Sequence, residues 1–407
     1  MTTSRVERLR AAGEYEVMRG RHALAMARLF DAAWTGHFSG SIGVDAWMYR
    51  LSFDLDNARE ALAWSVAAAD ADSALVIAAT LQRALPRSLY AERTELADRC
   101  EALMRPTVPL RFQARAWFEC SLQWGITHKK RSYGAAERLL GLARERHARD
   151  PNPFLLYLAL SRLASAAARM ADAKAARAAL VEMRALEDPN WPAQRLCWGA
   201  MAEAWVASAQ GHPAEALAHA RSWVALDRAR GASASWSSAY LVGCELAAGD
   251  AAAAARSGLD LVAAWENTRE EVFCTLARLN LLAAWLALNE LGQARPLAQA
   301  GWPNAVRFDM QPQWADYLAL LAALDGRPKA AALLVGYSDY AYIAAETVRL
   351  VNEEVGVRRA ARLATEALGE VEFERLRGEG ASLRDPDITA LAFPANPQAV
   401  ARAGNAF

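Results

Sequence analysis

Apolar positions in this chain recur at three- and four-residue intervals over stretches of roughly 14 to 22 residues, separated by short polar interruptions. That period gathers apolar side chains on one helix face, and the two-residue alternation of a half-buried strand is almost absent. Ala, Leu, Arg and Glu dominate, all of them good helix formers. The pattern predicts an all-α chain.

The interruptions themselves repeat. Met170–Ala176, Gly211–Leu217, Gly249–Ala254, Asn289–Ala294 and Gly326–Ala331 share one plan, in which an apolar helix ends in a tight turn and the next begins with small residues. Lys130–Ala136 extends the series backwards. The spacing, roughly 37 to 41 residues, is that of helix-pair repeats. A small residue early in the second helix lets the two helices approach, and Gly or Asn permits the turn. Such a pair buries its apolar faces only by stacking on neighbours. The expected architecture is therefore a TPR-like α-α superhelix, a solenoid of helix hairpins with units longer than the usual tetratricopeptide.

Three regions follow from this reading. Residues 1–106 form an N-terminal helical segment and first hairpins, including one from Ala71–Leu85 and Tyr90–Met104 that turns at Pro86 and Arg87. Residues 107–380 form the repeat array. Residues 381–407, with Asp385-Pro386-Asp387 and further Pro and Gly, read as an irregular tail.

Composition narrows the function classes. Hydrophobic residues make up 54% and charged residues 23%, a globular balance. Lys plus Arg equals Asp plus Glu at 46 each, so no global positive potential attracts a phosphate backbone or an anionic membrane. Neither nucleic acid nor membrane is expected as a direct partner. The N-terminus lacks the apolar core of a signal peptide, and no apolar stretch reaches spanning length, so a cytoplasmic protein is expected. The five cysteines, Cys100, Cys120, Cys197, Cys244 and Cys274, lie far apart within apolar helices and read as small hydrophobes.

Three segments resemble the C-terminal helical region of bacterial transcriptional regulators that carry a winged-helix DNA-binding domain and a STAND-class ATPase. They are Arg21–Ala27 followed by Trp34, then Leu55–Trp64, and finally Ala331–Gly336 with Ala367–Phe373 and Gly378-Glu379-Gly380. In Leu55–Trp64, Asn57 with Glu60 suggests an N-terminal capping box ahead of an apolar run. No G-x-x-x-x-G-K-[ST] phosphate loop occurs. The resemblance therefore implies the sensing array alone, as a portion of a longer regulator or a free-standing relative. Its implied role is to bind an inducer or a regulatory protein, without nucleotide or DNA chemistry.

Candidate chemistry is sparse. His212, Glu215 and His219 share a helix face, but H-E-x-x-H and a fourth ligand are missing, so no metal is expected. Cys120 and His128 could form a thiol pair, but no orienting partner is evident and a structural cysteine is the better reading. The basic run of Lys129, Lys130, Arg131, Arg138, Arg144, Arg146 and Arg149 is interleaved with acids and reads as a solvated face. Fourteen tryptophans, among them Trp117, Trp124, Trp198, Trp205, Trp236, Trp265, Trp285 and Trp314, read chiefly as spacers between Ala-rich helices.

The first helices of the repeats are expected to face a concave surface. Arg115, Arg162, Arg195, Tyr240, Arg278, Asn280 and Tyr317 are polar or amphipathic groups embedded there in apolar surroundings, and each needs a partner. They are the candidate binding residues, unless neighbouring acids satisfy them. The expectation is a non-catalytic interaction or sensor module without cofactor, whose partner is a protein, a peptide or a small inducer. The alternatives are an enzyme with its site in a superhelical cavity and a scaffold that forms a homodimer.

Overall fold

The computed structural model describes residues 5–125, 128–233, 235–266 and 271–394. Among these, the secondary structure is helical throughout, with 21 helices and no strand. In chain order they are α1 (Arg5–Ala11), α2 (Tyr15–His37), α3 (Val44–Ser52), α4 (Leu55–Ala67), α5 (Ala71–Ala84), α6 (Tyr90–Leu103) and α7 (Leu110–Gln123). There follow α8 (Lys129–Arg149), α9 (Pro153–Arg169), α10 (Ala173–Arg184), α11 (Ala193–Ala209), α12 (Pro213–Ala229), α13 (Trp236–Ala247) and α14 (Ala251–Trp265). The last are α15 (Glu271–Ala287), α16 (Leu291–Arg307), α17 (Gln311–Leu324), α18 (Pro328–Ala344), α19 (Val351–Leu368), α20 (Glu370–Gly380) and α21 (Asp385–Ala392).

The recurring turns have a common physical cause. After α9, Ala171 takes a left-handed φ of 59°, the Asp172 N–H donates to the Ala167 carbonyl at 3.0 Å, and the Ala171 N–H donates to Ala168 at 3.1 Å. This is the paired bonding that closes a helix C-terminus. Asp172 then accepts the Ala175 N–H at 3.0 Å and so caps the start of α10. One residue thus ends a helix and begins the next. The junction after α13 repeats the device, with Gly249 at φ 89° and Asp250 accepting from the Ala253 N–H at 2.8 Å. So does the junction after α4, with Ala69 and Asp70. Asn289, Gly326 and Gly211 also hold positive φ at their turns.

Three local readings need correction. Lys130–Ala136 is not a turn but the first turns of α8, which begins at Lys129. Asn57 does not cap α4: the helix starts earlier, Asp54 is at the cap position, and the Asn57 amide donates to Asp54 at 3.3 Å. Asp385–Ala392 is a helix rather than an irregular tail, because Pro386 fits its first turn and Asp387 accepts the Arg384 N–H at 2.9 Å. Residues 395–407 lie outside the described residues. The hairpin of α5 and α6 is present as expected.

The chain forms two compact units, residues 1–210 with 218–237 and residues 211–217 with 238–407. In the first unit α9 packs on α7, α8, α10 and α11, while α5 packs on α2, α4, α6 and α7. The core there is Ala-rich, with Phe30, Phe118, Trp124, Tyr157 and Leu160 essentially without solvent contact. In the second unit α17 packs on α15, α16, α18 and α19, around Trp314, Phe308 and Leu318. Of the tryptophans read as spacers, Trp236 is half-buried and the others are buried. All five cysteines are buried and free. No helix among the described residues is long and apolar enough to cross a membrane.

Candidate functional site, an arginine-lined aromatic cavity

In the first unit, α2 and α7 each present one face at the same spacing. Asp31, Trp34, Thr35 and Phe38 lie on one face at the end of α2, and Arg111, Ala114, Arg115 and Phe118 share a face of α7. Together with Arg146 of α8, Asn152, Phe154, Leu155 and Leu158 at the start of α9, and Arg195 of α11, they line a cavity of about 290 Å³. Its walls are largely aromatic and its charges are unbalanced, with four arginines against Asp31 as the one acid among the described residues of the lining.

The four arginines are not equivalent. Arg146 is held by Asp150 at 2.8 Å, and Arg111 reaches Asp31 at 3.6 Å from an exposed position. Arg115 is 5% exposed and pairs with Asp31 through Nη2 only; Nε and Nη1 have no hydrogen-bond partner. Burial holds its pKa below the ordinary arginine value, although Asp31 opposes that effect. Arg195 has no ion pair among the described residues. Its Nε donates to the Phe38 carbonyl at 3.0 Å, and its guanidinium lies 4.5 Å from the Phe154 ring centre and 5.9 Å from that of Trp191. An orphaned buried donor is costly, and a cation over rings without a counter-ion is poised for an anion.

A fifth arginine touches the rings of this cavity. Arg83 of α5 forms a buried ion pair with Glu119 and contacts His37 Nε2 at 3.3 Å. Trp34, Phe38, Phe118 and Trp198 surround its guanidinium at 5.1 to 5.8 Å. Trp34, Phe38 and Phe118 also line the cavity, so the Arg83 cluster fixes the rings that form its wall.

The structure brings Arg115 and Arg195 together at one site and places the other five candidates elsewhere. Arg162 is wholly buried on α9, donating to the Ser121 hydroxyl at 3.1 Å and the Ser121 carbonyl at 3.0 Å, a bridge between α9 and α7. Tyr240, Arg278, Asn280 and Tyr317 belong to the second unit. There Arg278 pairs with Glu266 at 2.8 Å, and the Asn280 amide donates to the Ala239 carbonyl at 2.7 Å. Tyr317 is buried and abuts Gly356, and Tyr240 is half-buried beside Cys244.

The remaining sequence motifs resolve locally. Arg131 pairs with Asp98 and Glu101, Arg138 with Glu101, Arg144 with Glu182 and Arg149 with Glu145, so this basic run is laced with acids. Burial raises the Cys120 thiol well above its ordinary pKa, the opposite of a nucleophile. His212 lies 3.6 Å from Glu215 and His219 lies 3.1 Å from Glu203. Among the described residues no three His, Cys, Asp or Glu side chains are grouped to hold a metal.

The second unit has its own opening, of about 440 Å³, lined by residues that include Asp339, Tyr342, Thr347, Arg349 and Arg377. Its charges are matched internally, since Asp339 pairs with both Arg349 and Arg377. Arg349 also reaches the fully buried Asp316, whose carboxyl burial pushes up to about 7 against that pairing. The unpartnered groups of this opening are the Tyr342 and Thr347 hydroxyls, whereas those of the first cavity are on the Arg115 guanidinium, which makes the first the better candidate for a charged ligand. Comparison with protein-family models and with curated proteins returns no match for this chain.

Proposed function

We propose that this chain is a non-catalytic sensor module of the TPR-like kind, a helical-repeat array that binds a small organic anion as inducer in the arginine-lined cavity. One observation carries the reading: Arg115 is buried with two unpartnered donors in a cavity where, among the described residues, Arg195 also lacks an acid. A buried cation left with open donors is stabilised by an incoming carboxylate or phosphate, which supplies charge-assisted hydrogen bonds. The cavity volume, about 290 Å³, is at the lower end of small-molecule pockets and favours a small inducer over a folded partner. The paired-off basic run argues against nucleic acid as the ligand. A regulatory role in the cytoplasm accords with the segments resembling STAND-type regulators.

The test is a thermal-shift and calorimetric screen of the purified chain against small carboxylates, phosphate esters and their neutral amides. Anions are expected to raise Tm, by an amount that follows their concentration and weakens in high salt. Neutral amides stabilising as well as the acids would sink the proposal.

A further inference from the structure

Among the arginines that line the cavity, Arg195 is the one whose charge has no acidic counterpart among the described residues. Arg146 has Asp150, and Arg111 and Arg115 share Asp31. Arg195 is half-buried, and burial holds its pKa below the ordinary arginine value without the opposing carboxylate that Arg115 finds in Asp31. Its guanidinium is nevertheless held in place. Nε donates to the Phe38 carbonyl at 3.0 Å, and the group lies over the rings of Phe154 and Trp191 at 4.5 and 5.9 Å from their centres. Nη1 and Nη2 donate to nothing among the described residues. The tether through Nε therefore leaves the end of the guanidinium, two N–H groups side by side in one plane, as a preset fork. Around this cation the cavity is built of rings. Trp34, Phe38, Phe118 and Phe154 all line it, Trp34 and Phe154 half-buried and the other two almost wholly buried. Their mutual contacts are tilted or edge-to-face, with centres 5.3 Å apart for Trp34–Phe38 and for Phe38–Phe154 and 5.8 Å apart for Trp34–Phe118. A further ring can join such a cluster with the same matching of ring edge to ring face, whereas a saturated body of similar size gains only the burial of its area.

We infer that the ligand is an aromatic carboxylic acid, whose carboxylate meets the Nη1–Nη2 end of Arg195 and whose ring packs among the rings of the cavity lining. This rests on the anion-binding reading and extends it to the ligand's head group and body. A carboxylate is flat, and its two oxygens accept from the two coplanar N–H groups of the fork at once. One free guanidinium end takes one carboxylate, so a single acid group is enough. The cavity volume, about 290 Å³, fits an acid of one or two rings.

The experiment is isothermal titration of the whole chain with benzoate, 2-naphthoate, cyclohexanecarboxylate, benzamide and inorganic phosphate. The better of the two aromatic acids is expected to bind about threefold to tenfold more tightly than cyclohexanecarboxylate, which has the same charge and a saturated ring. It should exceed benzamide, which has the ring without the charge, by about tenfold or more. Arg195→Gln is expected to weaken the aromatic acid by about tenfold or more, and Arg195→Lys, which keeps the charge and loses the fork, by about threefold or more. Arg144→Gln removes a cation from the α8 surface, where Glu182 pairs with it, and should bind the aromatic acid as the parent does. Circular dichroism establishes that each variant remains folded. Cyclohexanecarboxylate or phosphate binding as tightly as the aromatic acids, or parent affinity in Arg195→Gln or Arg195→Lys, overturns the aromatic carboxylate at Arg195 while leaving the anion cavity standing. Benzamide binding as tightly as benzoate, or no binding of any of the anions, overturns both.

Discussion

His37 lies wholly inside the first unit with the Arg83 guanidinium at 3.3 Å from its Nε2, so protonating it would set two cations side by side away from water. Burial first, then the charges of Arg83 and Arg230, hold its pKa well below 6.5. The unfolded chain takes up this proton near pH 6.5 and the folded chain does not. The resulting stability is fully present above that pH and is lost as pH falls below it, at up to about 1.4 kcal/mol per pH unit. His37→Gln is therefore expected to flatten the acid side of the stability profile between about pH 6.5 and pH 5. Denaturant unfolding at a series of pH values measures this; identical slopes in the two proteins would show that His37 does not set them. Arg83 is what makes the site unforgiving, because Glu119, its buried ion-pair partner, is 1% exposed and would lose that direct pairing if Arg83 were removed.

Helix pairs depend on how closely their backbones can approach. In the second unit α18 and α20 touch through Gly336 and Gly380, where a Cβ on Gly336 would stand 1.9 Å from the Arg377 carbonyl oxygen. A Cβ on Gly380 would stand 2.1 Å from that of Leu333. Backbone cannot swing aside as a side chain can. Gly336→Ala is thus expected to separate the two helices and lower stability by about 1–3 kcal/mol or more. The midpoint of chemical denaturation would show it, and a variant as stable as the parent would refute the close approach. These glycines were visible in the sequence only as parts of a resemblance, because the contact partner lies on another helix. The interhelix turns were legible for a different reason: Ala171-Asp172 and Gly249-Asp250 carry both the left-handed residue and the cap within two adjacent positions. The start of α4 was not, since Asp54, Asn57 and Glu60 offer competing polar starts and packing chooses among them.

At the scale of the whole chain, the all-helical class was legible because it is written in local periodicity, whereas the cavity was not. Arg115 and Arg195 stood out as polar groups in apolar helices, but the walls between them come from α2, and the Arg195 to Phe38 hydrogen bond spans 157 positions. Asp31, Trp34, Thr35 and Phe38 repeat at helical spacing, a signal that identifies a face without saying what it faces. The same long-range assembly gives the cavity its last test. A ligand that joins α2, α7, α9 and α11 restrains helices far apart in sequence, and local opening of each then becomes less favourable. Hydrogen exchange on the whole chain with a saturating anion is expected to slow most in residues 31–38, 111–118, 154–158 and 193–198. The α8 surface carrying Arg138 and Arg144 should change little, because its cations are already paired with Glu101 and Glu182. Protection concentrated on that paired surface would place the anion outside the cavity, whereas protection on the four helices together would mark the cavity as the point where they are joined.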